Sequence, residues 1–212
     1  MAADASTVTT AMAGHRDPGT GPVVPLEREI EQRRYAVQLG VWCFLATVTM
    51  LFAAFSSSYI VRQAGTDWTP TPLPTVLWFT TALLAFSSAA LEVSRREAKS
   101  GHMSASRSAL GATVILGISF LIGQVGAWRD LVADGFYLPT SPHASFFYVL
   151  TALHAAHLTA GLILLLYVAA RVSRSERHGD TDDMPFLLGI GATFWHFFGA
   201  LWIYLVAMLA WA

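Results

Sequence analysis

The sequence predicts an all-α integral membrane protein, a bundle of five transmembrane helices with a cytoplasmic N-terminus and a periplasmic C-terminus. Three observations predict it. Long apolar stretches recur from residue 36 to the end with short connections. Charged residues make up only 13% of the chain, against roughly 25% in a soluble domain. Lys and Arg are distributed unevenly between alternate connections.

Residues 1–34 read as a polar, largely disordered cytoplasmic tail: rich in Ala, Thr, Gly and Pro, without the apolar core of a cleavable signal, and charged from Glu27 to Arg34, where a short interfacial helix is expected. Residues 35–212 form one membrane domain. Its spans are about 36–61, 74–92, 108–128, 144–170 and 186–211. Each is long enough for a hydrocarbon core that about 20 helical residues cross. Pro70, Pro72 and Pro74 bound the second span, Pro139 and Pro142 precede the fourth, and Pro185 opens the fifth, where its missing N–H costs nothing. Glu92 lies at the end of the second span, with Arg95 and Arg96 placed to pair with it one turn on.

Orientation follows from the cations. Arg16, Arg28, Arg33 and Arg34 lie in the tail, Arg95, Arg96, Lys99 and Arg107 in the second connection, and Arg171, Arg174 and Arg177 in the fourth. The opposite side holds only Arg62 and Arg129. The positive-inside rule therefore puts the tail and the even connections in the cytoplasm. Trp68, Trp78, Trp128 and Trp211 then fall near the outer interface. With 13 Lys and Arg against 14 Asp and Glu there is no basic field for nucleic acid. Cys43 is the only cysteine, which excludes a disulfide framework and a CxxC site; its expected role is that of a small buried hydrophobe.

Small residues mark close helix approaches, which in a bilayer replace a hydrophobic drive: Ser87, Ser88 and Ala89; Gly117, Gly123 and Gly126; Ala152, Ala155, Ala156 and Gly161. The deep polar residues are His154 and His157, three apart on one helical face, and His196 in the fifth span. Neutral imidazole is a common ligand, so haem held between His154 and His196 is one reading. The favoured one is that the three histidines tie the fourth and fifth helices by hydrogen bonds. Apart from Glu92 the spans hold no carboxylate, which argues against metal ligation and against ion transport. Thr47, Thr49, Ser56, Ser57 and Ser58 are expected to bond back to their own helix.

Three segments carry a resemblance: GQVGAWRDL from Gly123, PHASFFYVLTALHAAHLTAG from Pro142 and FWHFFGALWIYL from Phe194. They resemble subunit III of the haem–copper cytochrome c oxidases, which shows a Phe-Tyr-x-Leu-Thr-Gly-x-His-x-x-His pattern and then a Trp-His-Phe pattern with a second Trp. Gln124, Phe147, Tyr148, Leu150, Thr151, His154, His157, Trp195, His196, Phe197 and Trp202 fall on those positions, and the first span opens with the family's Leu-Gly-x-x-x-Phe-Leu. The family's three membrane carboxylates are absent: Val48, Ala127 and Gly199 stand in their places, and Ala152 replaces the Gly after Thr151. Any role resting on those acids is not carried over.

The resemblance implies a five-helix, non-catalytic subunit of a bacterial respiratory oxidase in the cell inner membrane. It would pack on subunit I, hold phospholipid and support assembly and proton uptake. The other oxidase subunits, membrane lipids and a respiratory supercomplex are the implied partners. Haem and copper would belong to partner subunits, with no catalytic, cofactor or metal residue in this chain. Alternatives are the third subunit of a quinol oxidase, an accessory subunit of nitric oxide reductase, a membrane cytochrome b and a small transporter.

Overall fold

The computed structural model describes residues 26–178 and 184–211; the disorder expected of the tail concerns mainly residues 1–25, which lie outside them. Five helices follow in order: α1 (Leu26–Gln63), α2 (Val76–Lys99), α3 (Met103–Ala133), α4 (Pro142–His178) and α5 (Met184–Ala210). All five are long and apolar enough to cross a membrane, and each predicted span corresponds to one of them. Several helices run well beyond the spans. Residues 26–34 are helical, within α1 (Leu26–Gln63), and α2 continues past Glu92 to Lys99. Hydropathy marks only what lies in hydrocarbon, whereas Glu, Arg and Lys are good helix formers and carry the helix on into a polar medium.

The chain divides after Val37. Residues 26–37 are the opening of α1; the unit from Gln38 onward is the bundle. There, α2 lies against α3, α3 against α4, α4 against α5 and α5 against α2, closing a ring of four helices. Short connections set its course. Both α2 and α3 end in the same device, a glycine in the left-handed region followed by a reach-back bond. Gly101 (φ 81°) precedes His102, whose N–H donates to the Glu97 carbonyl at 2.9 Å. Gly135 (φ 83°) precedes Phe136, whose N–H donates to the Leu131 carbonyl at 2.9 Å. These bonds satisfy carbonyls left over at the helix end, and an L side chain at either glycine would be strained.

α1 is seated differently. Its buried residues, Leu45, Val48, Phe52, Ser56 and Tyr59, make a narrow stripe at three- and four-residue spacing. Around them Trp42, Met50, Ile60 and Val61 face outward, as lipid-facing residues do. Cys43 is exposed as well, so the expectation of a buried cysteine is corrected. It falls off the narrow stripe that a helix with one packed face can bury. As expected, Thr47, Thr49, Ser56 and Ser58 donate to carbonyls four residues back in α1.

The small residues divide into two groups. A Cβ at Gly117 would lie 2.8 Å from the Trp195 ring, and one at Gly161 would lie 2.8 Å from the Phe194 ring, so α3 and α4 admit α5 at these points because they carry no side chain there. In contrast, Ala89, Ala152 and Ala156 are exposed and a Cβ at Gly126 would meet nothing within 4 Å. Those four were expected to line helix contacts and do not; composition alone does not tell which side of a helix turns inward. At the far end of α1, Arg62 holds Asp67 through two hydrogen bonds of 2.8 and 2.6 Å. The hydrogen bonds from Arg62 keep the Asp67 carboxyl below the usual carboxylate range.

Candidate functional site

The bundle interior is a layer of rings joined by three hydrogen bonds of one type. Trp195 Nε1 donates to Ser87 Oγ at 3.1 Å, and Trp202 Nε1 donates to Thr81 Oγ1 at 3.0 Å, both joining α5 to α2. Trp128 Nε1 donates to Thr151 Oγ1 at 3.0 Å, joining α3 to α4. In each case the hydroxyl has already given its own proton to a carbonyl: Ser87 to Thr113 at 3.1 Å, Thr81 to Leu77 at 2.7 Å, Thr151 to Phe147 at 2.7 Å. A lone pair on the same oxygen accepts the indole N–H. Trp195 and Trp202 are completely buried, so each N–H needs such a partner. Among the residues expected at the interface, Trp78 and Trp211 are exposed, whereas Trp68 and Trp128 are partly buried and packed against the core.

The histidines do not tie the helices by hydrogen bonds, contrary to expectation. His154 is 0% exposed and both of its ring nitrogens lack a hydrogen-bond partner among the described residues. It packs as a plate instead, 4.9 Å from Trp202, 6.2 Å from Phe120 and 6.1 Å from Phe198 between ring centres. His157 donates from Nδ1 to the Leu153 carbonyl of its own helix at 2.7 Å, because that carbonyl can only accept. Its ring stacks on Phe198 (5.4 Å, 21°) and meets Phe44 and Phe52 of α1 at 6.2 and 5.9 Å. The two histidines thus share a face, as their spacing predicts, and both touch Phe198; His154 looks into the bundle and His157 toward α1.

His196 has a different setting. It lines a groove of about 320 Å³ between α2 and α5 with Thr81, Ser88, Gly199 and Trp202. Its Nε2 lies 4.0 Å from Glu92 Oε2, and its side chain is 40% exposed. Glu92 on α2 and His196 on α5 are thus within side-chain reach of each other. Arg95 and Arg96 neutralise Glu92 at 2.9 and 3.4 Å, as their spacing predicts. His154 is enclosed in the bundle, whereas His196 lines the α2–α5 groove. Among the described residues no group of three or more His, Cys, Asp or Glu is placed to hold a metal ion.

The remaining motif residues are structural neighbours of this layer. Phe147 is fully buried, Tyr148 Oη donates to the Phe136 carbonyl at 2.8 Å and so holds the α3–α4 connection, and Phe197 packs edge-on to Phe198 at 5.3 Å. Gln124 is 1% exposed, with neither its oxygen nor its nitrogen hydrogen-bonded. Val48 and Ala127 are buried at 2% and 0% exposure, so their positions are filled by packing, and a carboxylate there would be enclosed without a described cation. A Cβ at Gly199 would lie 3.5 Å from Ser88 Oγ, an ordinary contact.

Sequence reasoning missed His143. It is 1% exposed at the start of α4, and its Nδ1 accepts the Thr71 N–H at 3.1 Å, which puts the proton of the neutral ring on Nε2. With Tyr59 and Trp68 at 6.0 and 5.4 Å it pins the α1–α2 connection to α4. The only signal was its place next to Pro142, opposite a proline-rich connection that needed an anchor.

Fold and site together define a class: a multi-pass membrane subunit whose polar core joins its own helices. The profile of the family described as Cytochrome c oxidase subunit III matches residues 29–212. The chain is 28% identical over 178 residues to a probable cytochrome c oxidase subunit 3 of Mycobacterium tuberculosis, covering 82% of this chain and 86% of the relative. It is 29% identical over 204 residues to cytochrome c oxidase subunit 3 of Alkalihalophilus pseudofirmus, covering 93% and 97%. It is also 30% identical over 169 residues to subunit 3 of the cytochrome bo(3) ubiquinol oxidase of Pseudomonas aeruginosa, covering 77% and 79%. The chain belongs to the cytochrome c oxidase subunit III family, as a haem–copper oxidase subunit of a bacterial cell membrane that associates with other oxidase subunits.

Proposed function

We propose that this chain braces the catalytic core of a terminal oxidase by packing on subunit I, retaining phospholipid around it and so supporting assembly and proton uptake, while binding no haem or copper itself. The observation that carries this reading is the use of the polar groups: the indoles join helices within the chain, and Glu92, which reaches His196, is neutralised by Arg95 and Arg96. Such an interior suits a rigid scaffold better than a conductor. The distribution of cations supports a cytoplasmic N-terminus and a periplasmic C-terminus. A quinol-oxidizing complex is the second reading, favoured by similarity to the Pseudomonas aeruginosa relative. Purification in mild detergent tests both. The expected result is co-purification with haem-containing subunits, with the presence or absence of a copper-motif subunit deciding the electron donor. A haem band from this chain purified alone, lost in His154→Ala or His196→Ala, would overturn the non-ligating role.

A further inference from the structure

The cluster that seats the α1–α2 connection on α4 holds more polar atoms than it satisfies. Tyr59 of α1, Trp68 and Thr71 of the connection and His143 of α4 are neighbours. Between ring centres, Tyr59 lies 5.1 Å from Trp68 and 6.0 Å from His143, and Trp68 lies 5.4 Å from His143. The Thr71 N–H donates to His143 Nδ1 at 3.1 Å. Tyr59, Thr71 and His143 are all buried. Yet Tyr59 Oη, Trp68 Nε1, Thr71 Oγ1 and His143 Nε2 are buried without a hydrogen-bond partner among the described residues. The Leu209 carbonyl, near the end of α5, lies toward the His143 ring without accepting its proton. By contrast, the indoles of Trp128, Trp195 and Trp202 each have a hydroxyl as acceptor. An unmet buried polar atom is costly, so four in one cluster call for a shared partner.

We infer that this cluster encloses a structural water molecule hydrogen-bonded to Tyr59, Trp68, Thr71 and His143. The donor and acceptor count selects that ligand. Trp68 Nε1 can only donate, and His143 Nε2 must donate as well, because Nδ1 is occupied as acceptor of the Thr71 N–H. The hydroxyls of Tyr59 and Thr71 can accept. Two obligatory donors and two acceptors are the complement of one water, which accepts two hydrogen bonds and donates two. The flanking charges Arg62 and Asp67 are spent on each other, which favours a neutral ligand over an anion. Burial of all four atoms leaves no approach for a side chain of another subunit. The water joins α1, the α1–α2 connection and α4 at one point, adding to the direct Thr71–His143 bond. It is independent of the oxidase reading.

Hydrogen–deuterium exchange of the assembled protein tests this at the Thr71 amide, which lies between Pro70 and Pro72 and reports opening of the connection. Tyr59→Phe keeps the ring, Thr71→Val keeps the shape, and each removes one hydroxyl. Each is expected to speed exchange in segment 69–74 about fivefold after correction for intrinsic rates, the equivalent of one hydrogen bond. The double variant should fall short of the product of the two, because both act on one molecule. Ser58→Ala, whose hydroxyl donates to the Ala54 carbonyl of its own helix, should leave exchange unchanged. If no water is shared, Tyr59→Phe and Thr71→Val remove unsatisfied groups and exchange stays constant or slows. That result, effects that multiply, an equal effect in Ser58→Ala, or exchange rates that depend on chloride concentration would each overturn the inference. In a density map of the assembled protein fine enough to show water, one peak should lie within about 3.2 Å of Trp68 Nε1 and His143 Nε2; no peak there, or a direct bond among the four side chains, would also overturn it.

Discussion

The contact of α5 with α2 and the contact of α5 with α1 lie on the same helix and are built from different chemistry. Toward α2, Trp195 and Trp202 each place an indole N–H on a hydroxyl whose own proton is already committed. Toward α1 the described contacts are between rings: Phe194 stacks on Phe44 at 5.7 Å and 13°. The hydroxyls of Thr47, Thr49, Ser56 and Ser58 in α1 are turned back on their own helix. In lipid, where tails are as apolar as Leu, ring contacts gain only packing, whereas an indole–hydroxyl bond also fixes rotation and register. α1 is thus the helix whose seat depends most on shape, and the α2–α5 pair the one whose geometry is specified by polar bonds.

Four experiments break or sharpen that contrast. The largest effect is expected from Trp202→Ala, which removes a fully buried ring lying on His154 and Phe120 together with the bond to Thr81. A loss of about 3–5 kcal/mol, read by denaturant or SDS titration of the purified protein, is in the range for such truncations. Next, Ser87→Ala strands the Trp195 N–H and removes the bond to Thr113, at a cost of about 1–2 kcal/mol. Phe44→Ala, on the α1 side, should cost about 0.5–1.5 kcal/mol and should expose α1 to added protease without altering Trp195 fluorescence; a Trp195 shift in that variant would merge the two contacts into one unit. The smallest effect concerns the exposed Arg62–Asp67 pair. Because Arg62 lowers the carboxyl's pKa, the pair's contribution is complete above the ordinary Asp range and disappears as pH falls through the lowered value. Asp67→Asn should therefore match the parent protein in acid and differ from it, slightly, at neutral pH, as measured by thermal unfolding at the two pH values.

The sequence was most legible where one quantity decides. Hydropathy located all five helices, and the i,i+3 and i,i+4 spacing of Glu92 with Arg95 and Arg96 gave their pairing. It was least legible where rotation about a helix axis decides. Cys43, Ala152 and Ala156 sit in apolar runs like their neighbours, yet turn outward. The histidines were read as hydrogen-bonding anchors because imidazole is polar, but a neutral ring can also pack by its faces, and His154 does. Three of the bonds that do join the helices come from tryptophans, whose hydrophobic bulk conceals a single donor in any reading by hydropathy. The end of α2 was placed short for a related reason: an apolar window stops at the first charge, whereas α2 continues for two more turns.

Comparing His154→Leu with Trp195→Phe in thermal unfolding of the purified protein bears most directly on which side chains hold the bundle. Removing a buried imidazole with no hydrogen-bond partner, at similar volume, should leave the transition nearly unchanged or raise it. Removing an indole N–H bonded to Ser87 should lower it. If His154→Leu proves the more damaging of the two, the histidines anchor the helices after all and the assignment of that role to the tryptophans is wrong.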